Sequence, residues 1–294
     1  MKTTGSDRTF TIVNEIILGL FLIIILYPLI YIISASFSSG YAVTTGRVWL
    51  WPVDFNLEGY KAVFKHDMIA TGYLNSLFYM FIGTVINVGL TIMAAYPLSR
   101  KDFKIRNIIM FLFVFTMMFK PGMIPDYLLI KNIGLLDSRW ALLLPKAILV
   151  YNLIITRTYF QTNISDELLE ASKLDGCTDF QFLRKIVIPL SKPIISVIVL
   201  LYAVGHWNRY FDAMLYISSP SKMPLQIILR DILITNQIDS SMLDGDVQSM
   251  LDKQNLQELL KYSLIILSSL PLLILYPLIQ KFFEKGIMVG SIKG

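Results

Sequence analysis

Several polar side chains of the kinds that bind ligands fall inside long apolar stretches of this sequence. Lys120, Lys146 and Asn152 lie in two such stretches, and a third contains the run His206-Trp207-Asn208-Arg209-Tyr210-Phe211-Asp212. Ionisable groups are costly within a membrane, so they mark candidate pathways for a substrate. Aromatic rings beside amides and charges suit a sugar, which has apolar ring faces and a polar rim. We therefore predict a substrate pathway lined by Lys120, Lys146, Asn152, Trp207, Asn208, Arg209, Tyr210 and Asp212.

The charges in this set leave alternatives open. Arg209 and Asp212 stand three residues apart, so an ion pair within one helix would explain both without a ligand. Lys146 has no obvious local partner, and a buried cation without a partner is strongly destabilising. We therefore expect an anionic group to visit it. That group is either a carboxylate of the substrate or, alternatively, a lipid phosphate or a carboxylate of another subunit.

No motif of a familiar catalytic or metal site occurs in the sequence. It contains neither a phosphate-binding G-x-x-x-x-G-K-[ST] loop nor a G-x-S-x-G nucleophile elbow. The two histidines, His66 and His206, are far apart and form no H-E-x-x-H pair, and Cys177 is the only cysteine. We expect no catalytic residue, no metal and no cofactor on this chain, and an intramembrane enzyme is poorly supported.

The composition is that of a membrane protein. Of the 294 residues 55% are hydrophobic and 16% are charged, whereas a soluble domain carries about 25% charged residues. A spanning helix needs about 20 mainly apolar residues. We therefore predict a single all-α domain over residues 1–294, in which Pro121, Gly122 and Pro125 break the third span. Six stretches qualify as spans: 12–37, 73–98, 107–129, 140–161, 189–217 and 258–282.

Basic residues set the expected orientation of these spans. Residues 99–106 hold four of them, and the tail after the last span adds Lys281, Lys285 and Lys293. Because the side richer in Lys and Arg is cytoplasmic, both termini are predicted to be cytoplasmic. The same clustering at span ends accounts for the net charge of +5 without a nucleic acid. The first stretch could mimic a signal peptide, but its apolar core exceeds the typical length of about 7–15 residues.

A polar insert at residues 165–188, between the fourth and fifth stretches, predicts two short helices joined at a corner. Ser165 can cap the first helix, and Gly176 suits its left-handed end. Thr178 and Gln181 form a capping box for the second helix. We call this insert the elbow, and its shape suits the groove of a partner protein.

The elbow resembles a known family pattern. ABC importer permeases carry an EAA loop of the form E-A-A, D-G, F, I, L-P and P. Ser172 and Cys177 each stand where that pattern has alanine. Both changes replace one small residue by another. The ending 285–294 resembles the C-terminus of sugar-type importer permeases, and residues 122–137 resemble permeases of complex-carbohydrate importers. The elbow positions that match are Glu170-Ala171-Ser172, Asp175-Gly176, Phe182, Ile186, Pro189 and Pro193.

This resemblance implies a type I ABC importer permease fold in the cytoplasmic (inner) membrane of a bacterium. The elbow would then be the coupling helix that docks on an ATP-binding subunit. The implied partners are a second homologous permease subunit, two ATP-binding subunits that hold ATP and Mg²⁺, an extracytoplasmic solute-binding protein, membrane lipid and an oligosaccharide. The implied coupling residues are Glu170, Ala171, Ser172, Asp175, Gly176 and Phe182.

Two points about the transported molecule and the transport class remain open from the sequence. The excess of Lys120, Lys146 and Arg209 over Asp126 and Asp212 within the spans favours an acidic oligosaccharide, such as one built from uronic acids. The alternative to an ATP-driven importer is a self-contained ion-coupled secondary transporter. That class is built from inverted repeats and uses buried carboxylates for coupling, and the sequence contains no convincing repeat.

Overall fold

The computed structural model describes residues 5–65, 67–239 and 247–291, and every regular element within them is helical. A π-helical turn (Leu183–Val187) joins α10 to α11, and a 3₁₀ turn (Pro220–Lys222) precedes α14. The α-helices are α1 (Gly5–Ser36), α2 (Gly40–Thr44), α3 (Glu58–Lys65), α4 (Asp67–Ser99), α5 (Arg106–Met118), α6 (Met123–Asn132), α7 (Trp140–Leu143), α8 (Val150–Asn163), α9 (Asp166–Leu174), α10 (Asp179–Phe182), α11 (Ile188–Leu190), α12 (Lys192–Trp207), α13 (Phe211–Tyr216), α14 (Leu225–Asp239) and α15 (Val247–Ser291).

Three of these helices, α1, α4 and α15, are long and apolar enough to cross a membrane. They cover the predicted second and sixth spans and all but the last residue of the first, each as a continuous helix. The most apolar window of α1 has none of its residues buried within the chain. Because that helix is apolar on every side, it requires lipid or another subunit around it.

The predicted third span is a helix that breaks and turns. Its halves, α5 and α6, meet at an angle of 117°. Gly122, just before α6, has a φ of 89°, a left-handed conformation that residues with a Cβ rarely adopt. The predicted break at Pro121 and Gly122 is therefore confirmed.

The predicted fourth and fifth spans are interrupted, which corrects the expectation of continuous helices over 140–161 and 189–217. The fourth consists of the four-residue α7, a turn through Pro145 and Lys146, and the 14-residue α8. The fifth consists of α12 and α13, separated by residues 208–210, and α12 itself follows a bend of 83° after α11. A total of six spans and cytoplasmic termini remain predictions, and the last residues of the tail motif, 292–294, lie outside the described residues.

The described chain forms two compact units. The first comprises Met1–Ile69 and Leu229–Leu270. Within it α3 lies so close to α15 that a Cβ added at Gly59 would overlap the side chain of Ser263. Its apolar core contains Ala35, Ala42, Val43, Val48 and Leu259.

The second unit comprises Ala70–Ile228 and Pro271–Gly294 and contains both candidate sites. Two hydrogen-bonded pairs join α4 to α12 within it. The hydroxyl oxygens of Thr91 and Tyr202 are 2.7 Å apart, and the Asn87 amide nitrogen is 3.1 Å from Nε2 of His206. The buried apolar side chains around them include Leu153, Phe160, Phe182, Val187 and Ile198.

We expect Gly83→Ala to destabilise the permease, because a Cβ at Gly83 would overlap the buried imidazole of His206. Overpacking of this kind costs roughly 1–3 kcal/mol. Gly89→Ala is the matched control, since it lies on the same helix and nothing lies within 4 Å of its added Cβ. Alanine should be neutral or stabilising there by roughly 0.5–1 kcal/mol. Thermal unfolding of the purified protein in detergent would measure both, and equal shifts would contradict the proposed close contact.

Candidate functional site

Three of the predicted pathway residues form one charged cluster, although they come from two distant segments of the sequence. The Lys146 ammonium lies 3.1 Å and 3.3 Å from the two carboxylate oxygens of Asp212. Nε of Arg209 lies 3.6 Å from Asp212, so the alternative of an i,i+3 ion pair is observed, although Arg209 precedes α13. Lys146 has no partner close to it in the sequence, as expected, and its ionic partner Asp212 is 66 residues away.

The helix breaks place these three side chains together. Lys146 occupies the turn between α7 and α8 with a φ of 61°, a left-handed conformation that costs a residue with a Cβ roughly 1–2 kcal/mol. Arg209 lies between α12 and α13, where its guanidinium also donates to the Leu142 carbonyl. Asp212 lies in the first turn of α13, where a helix favours a carboxylate. The cluster thus contains two cations and one carboxylate.

The remaining predicted pathway residues fall into two groups. Asn208 and Tyr210 flank Arg209 and are exposed, and Lys120 is exposed in the bend between α5 and α6 and forms no ion pair with a described residue. Trp207 and Asn152 are buried instead. The ring of Trp207 packs edge-to-face against Tyr73 with centroids 5.7 Å apart. Trp207 is therefore not accessible to a sugar in this conformation.

Sequence reasoning missed a polar clamp on Asp137, which fixes the end of α13. The Asp137 carboxylate accepts hydrogen bonds from the N–H groups of Ser218 (3.1 Å) and Ser219 (2.9 Å) and from the Ser219 hydroxyl. The Lys222 ammonium lies 3.1 Å from the same carboxylate. The hydroxyl and N–H of Ser219, with the Lys222 ammonium, hold the pKa of Asp137 well below its usual range. Only its position in a Leu-Asp-Ser turn could have suggested this role.

The corner of the elbow has the predicted geometry. The Ser165 hydroxyl caps α9 by accepting from the Leu168 N–H, and Gly176 has a φ of 75° at the corner. Thr178 and Gln181 form both hydrogen bonds of a capping box, at 3.0 Å and 3.3 Å. The two short helices and their corner are confirmed.

The elbow has an inner and an outer face. Phe182 and Ser172 are buried, and the ring of Phe182 packs against Tyr96. These two residues therefore pack the elbow against the rest of the second unit and are not available to contact a partner protein. The outer face contains the predicted Glu170, Ala171, Asp175 and Gly176. It also contains two large apolar side chains that sequence reasoning missed, Leu174 at 90% exposure and Phe180 at 69%.

Ionic contacts hold the base of the elbow against the loop after α4. The Lys101 ammonium lies 2.8 Å from the Asp166 carboxylate, and Lys173 lies 4.0 Å from Asp102. Within the elbow itself, Lys173 also lies 3.9 Å from Asp179. The hydrogen bond from Lys101 lowers the pKa of Asp166, and the same bond raises the pKa of Lys101.

Among the described residues no three His, Cys, Asp or Glu side chains lie together as metal ligands.

Comparison with known proteins gives a consistent set of matches. Residues 87–289 match the family described as "Binding-protein-dependent transport system inner membrane component". The polygalacturonan/rhamnogalacturonan transport system permease protein YtcP of Bacillus subtilis (strain 168) is 42% identical, over 98% of this chain and 99% of its own. Protein LplC of the same organism is 38% identical, over 100% and 98%. The solved structure of a bacterial ABC transporter involved in the import of the acidic polysaccharide alginate superposes with a TM-score of 0.86 at 38% identity, covering 96% of this chain and 99% of that one.

We expect Asp137→Asn to weaken the fold at neutral pH. The pKa of Asp137 is lowered in the folded state, so its stabilising contribution is present above the unfolded value of about 3.9 and is lost as the pH falls through the folded value. The variant should unfold several degrees lower than the wild type at pH 7, and the difference should shrink below about pH 4.

The matched control for this change is Asp54→Asn. Asp54 also has a left-handed φ, of 52° against 53° for Asp137, but its ion pair with Arg47 is an exposed one. Thermal unfolding across pH would compare the two variants. Equal melting temperatures for Asp137→Asn and Asp54→Asn at pH 7 would rule out the clamp.

Proposed function

The chain belongs to the family of binding-protein-dependent transport system inner membrane components, and from this membership we propose that it is a transmembrane subunit of an importer for an acidic oligosaccharide. Its relatives are ABC transporter permeases and not enzymes, so ATP hydrolysis is carried by separate subunits, as the sequence predicted. The same membership disfavours the alternative of a self-contained secondary transporter.

One observation carries the proposal of an acidic substrate. The cluster at the two helix breaks has one cation more than it has carboxylates, and its most accessible member is Lys146, with a side chain that is 52% exposed. Lys120 adds a further exposed cation without an ionic partner among the described residues. A uronic acid brings one carboxylate for each such sugar. The names of YtcP and of the alginate importer, which refer to acidic polysaccharides, support the same substrate class.

In the proposed mechanism Lys146 exchanges one carboxylate for another. Asp212 neutralises it while the site is empty, and the carboxylate of the sugar takes the place of Asp212 during passage. Arg209 keeps Asp212 paired after the exchange, so no buried charge is left alone. Tyr210, which is exposed beside Arg209, offers its ring to a sugar face. The pathway opens alternately to each side of the membrane.

The elbow would connect this pathway to the ATP-binding subunits. Its exposed tip combines two carboxylates, Glu170 and Asp175, with the apolar side chains of Leu174 and Phe180. Exposed apolar groups rimmed by charge are typical of a protein interface. The proposed assembly contains a second homologous permease, two ATP-binding subunits with ATP and Mg²⁺, and an extracytoplasmic solute-binding protein. Six spans with both termini in the cytoplasm of a bacterium complete the proposal.

We expect Gly176→Val and Glu170→Lys to uncouple transport while the permease stays assembled. Valine at the corner would have to adopt a left-handed backbone, which costs roughly 1–2 kcal/mol, and Glu170→Lys would reverse a charge on the outer face. The measurement is ATP hydrolysis by the purified transporter, with and without loaded binding protein. Gly46→Val is the control, because Gly46 also has a left-handed φ, of 70°, but lies outside the elbow. If loaded binding protein still stimulates ATP hydrolysis normally in both elbow variants, the elbow does not couple transport to ATP hydrolysis.

We expect Lys146→Met to reduce uptake of an acidic oligosaccharide by about tenfold, the value of one charge-assisted hydrogen bond. Uptake of the same oligosaccharide with its carboxyl groups reduced should change little. Lys120→Met should act in the same direction. Lys61→Met, which removes an exposed lysine of α3, controls for assembly and overall charge.

The outcome of this experiment separates the substrate from the transporter class. Equal effects of Lys146→Met on charged and reduced sugars would reject the acidic substrate. ATP-driven uptake of any oligosaccharide would still support an importer permease in that case.

A further inference from the structure

A cavity of about 360 Å³ lies at the base of the elbow, away from the proposed substrate pathway. Its walls come from the end of α4 and the loop that follows, from the start of α5, from the end of α8 and from the first turn of α9. We call it the base pocket. The charged residues that line it are Arg100, Lys101, Arg106, Asp166 and Glu167.

Arg100 is buried in the wall of the base pocket, with 4% of its surface exposed. Its Nε donates to the Ser99 hydroxyl at 3.2 Å, and its Nη2 lies 3.5 Å from the carbonyl oxygens of Phe160 and Ile164. Its buried Nη1 has no hydrogen-bond partner among the described residues, and the nearest carboxylate oxygen, of Asp166, is 3.9 Å away. A buried charged donor without a hydrogen-bonded anion is costly, and the Tyr96 ring, 5.5 Å from the guanidinium carbon, supplies no full negative charge.

The charges of the base pocket leave room for one anion. Three basic side chains face two acidic ones, so the lining has one positive charge in excess. Lys101 already pairs with Asp166 at 2.8 Å, and Arg106 donates to the Arg100 carbonyl at 2.7 Å, which holds its guanidinium at the pocket. A phosphodiester carries one negative charge and several acceptor oxygens, and guanidinium groups bind it well.

The position of the base pocket favours a lipid as the source of that phosphate. Its walls are ends of predicted spans, so it lies at the depth of lipid headgroups. An exposed apolar stripe with helical spacing runs along α5 from the Arg106 end of the pocket. Acyl chains of a lipid bound by its headgroup could lie along this stripe. It consists of Ile105, Ile108, Leu112 and Phe115.

We propose that the base pocket binds the phosphate group of an anionic phospholipid on the side of the membrane where the elbow lies. The phosphate accepts from Arg106, lies beside the buried guanidinium of Arg100, and neutralises the excess charge. Because the first turn of α9 forms one wall, the bound lipid steadies the base of the elbow. This site is separate from the proposed sugar pathway and does not depend on the identity of the sugar.

Native mass spectrometry of the intact, delipidated transporter tests the site. Phosphatidylglycerol and phosphatidylcholine are added separately, and the retained lipid is counted. We expect the wild type to retain phosphatidylglycerol and Arg106→Gln to bind it about tenfold more weakly, through loss of a charged hydrogen bond. Lys104→Gln is the matched control, since it removes a cation from the same loop outside the pocket. Arg106→Lys should restore part of the binding.

Other variants and ligands decide between the remaining explanations. Lys101→Gln should also weaken binding. Because the Lys101 side chain is largely exposed, this change is less apt to disturb folding than Arg106→Gln is. Equal losses in Lys104→Gln and Arg106→Gln would show diffuse surface charge and overturn the proposal. Equal retention of phosphatidylcholine would overturn it as well. Inorganic phosphate is added in a third arm. Binding of free phosphate, with phosphatidylglycerol retained no better than phosphatidylcholine, would reject a lipid as the source of the phosphate.

Discussion

The backbone at the helix breaks imposes the constraint on which the candidate pathway depends. A helix that stops within a membrane leaves N–H and C=O groups without partners, and this is tolerated only where protein or water supplies them. The Arg209 guanidinium donates a hydrogen bond to the Leu142 carbonyl at the end of α7. The Tyr202 hydroxyl accepts one from the Leu149 N–H just before α8. The polar side chains of the fifth stretch therefore complete the backbone of the fourth. The charge of Arg209 lies at the break in the fourth stretch because it satisfies a backbone carbonyl there.

This requirement divides the charged cluster into a fixed part and an exchangeable part. Arg209 is bound to a backbone carbonyl as well as to Asp212, and its side chain is only 15% exposed. Lys146 is far more accessible, and Asp212 is the described residue that holds it. Because Lys146 is half exposed and makes no second contact with a described residue of the kind that fixes Arg209, it is the member of the cluster at which the proposed exchange of Asp212 for a ligand carboxylate would occur.

Local features of the structure could be predicted from the sequence, and pairings between distant residues could not. The caps at Ser165 and Thr178 and the corner at Gly176 depend on contacts within a few residues, so their residue types are sufficient. The partner of Lys146 is Asp212, and the partners of Asp137 follow it by more than 80 residues, so no local spacing reveals them. The burial of Trp207 could not be predicted from the sequence for a related reason. A helix that is apolar on all sides has no sequence period that distinguishes its inner face.

The elbow and the charged cluster are connected through a short series of rigid pieces. The buried Phe182 anchors the second helix of the elbow, which continues through the π-helical turn to the bend of 83° at Ser191. From there α12 runs unbroken for 16 residues, about 24 Å at 1.5 Å per residue, and ends two residues before Arg209. A helix transmits displacement along its axis better than a loop does, whereas the π-helical turn and the bend allow a change of angle. In the proposed coupling, a movement of the elbow would reach Arg209 mainly along α12, whereas Lys146 lies on a different segment of the chain.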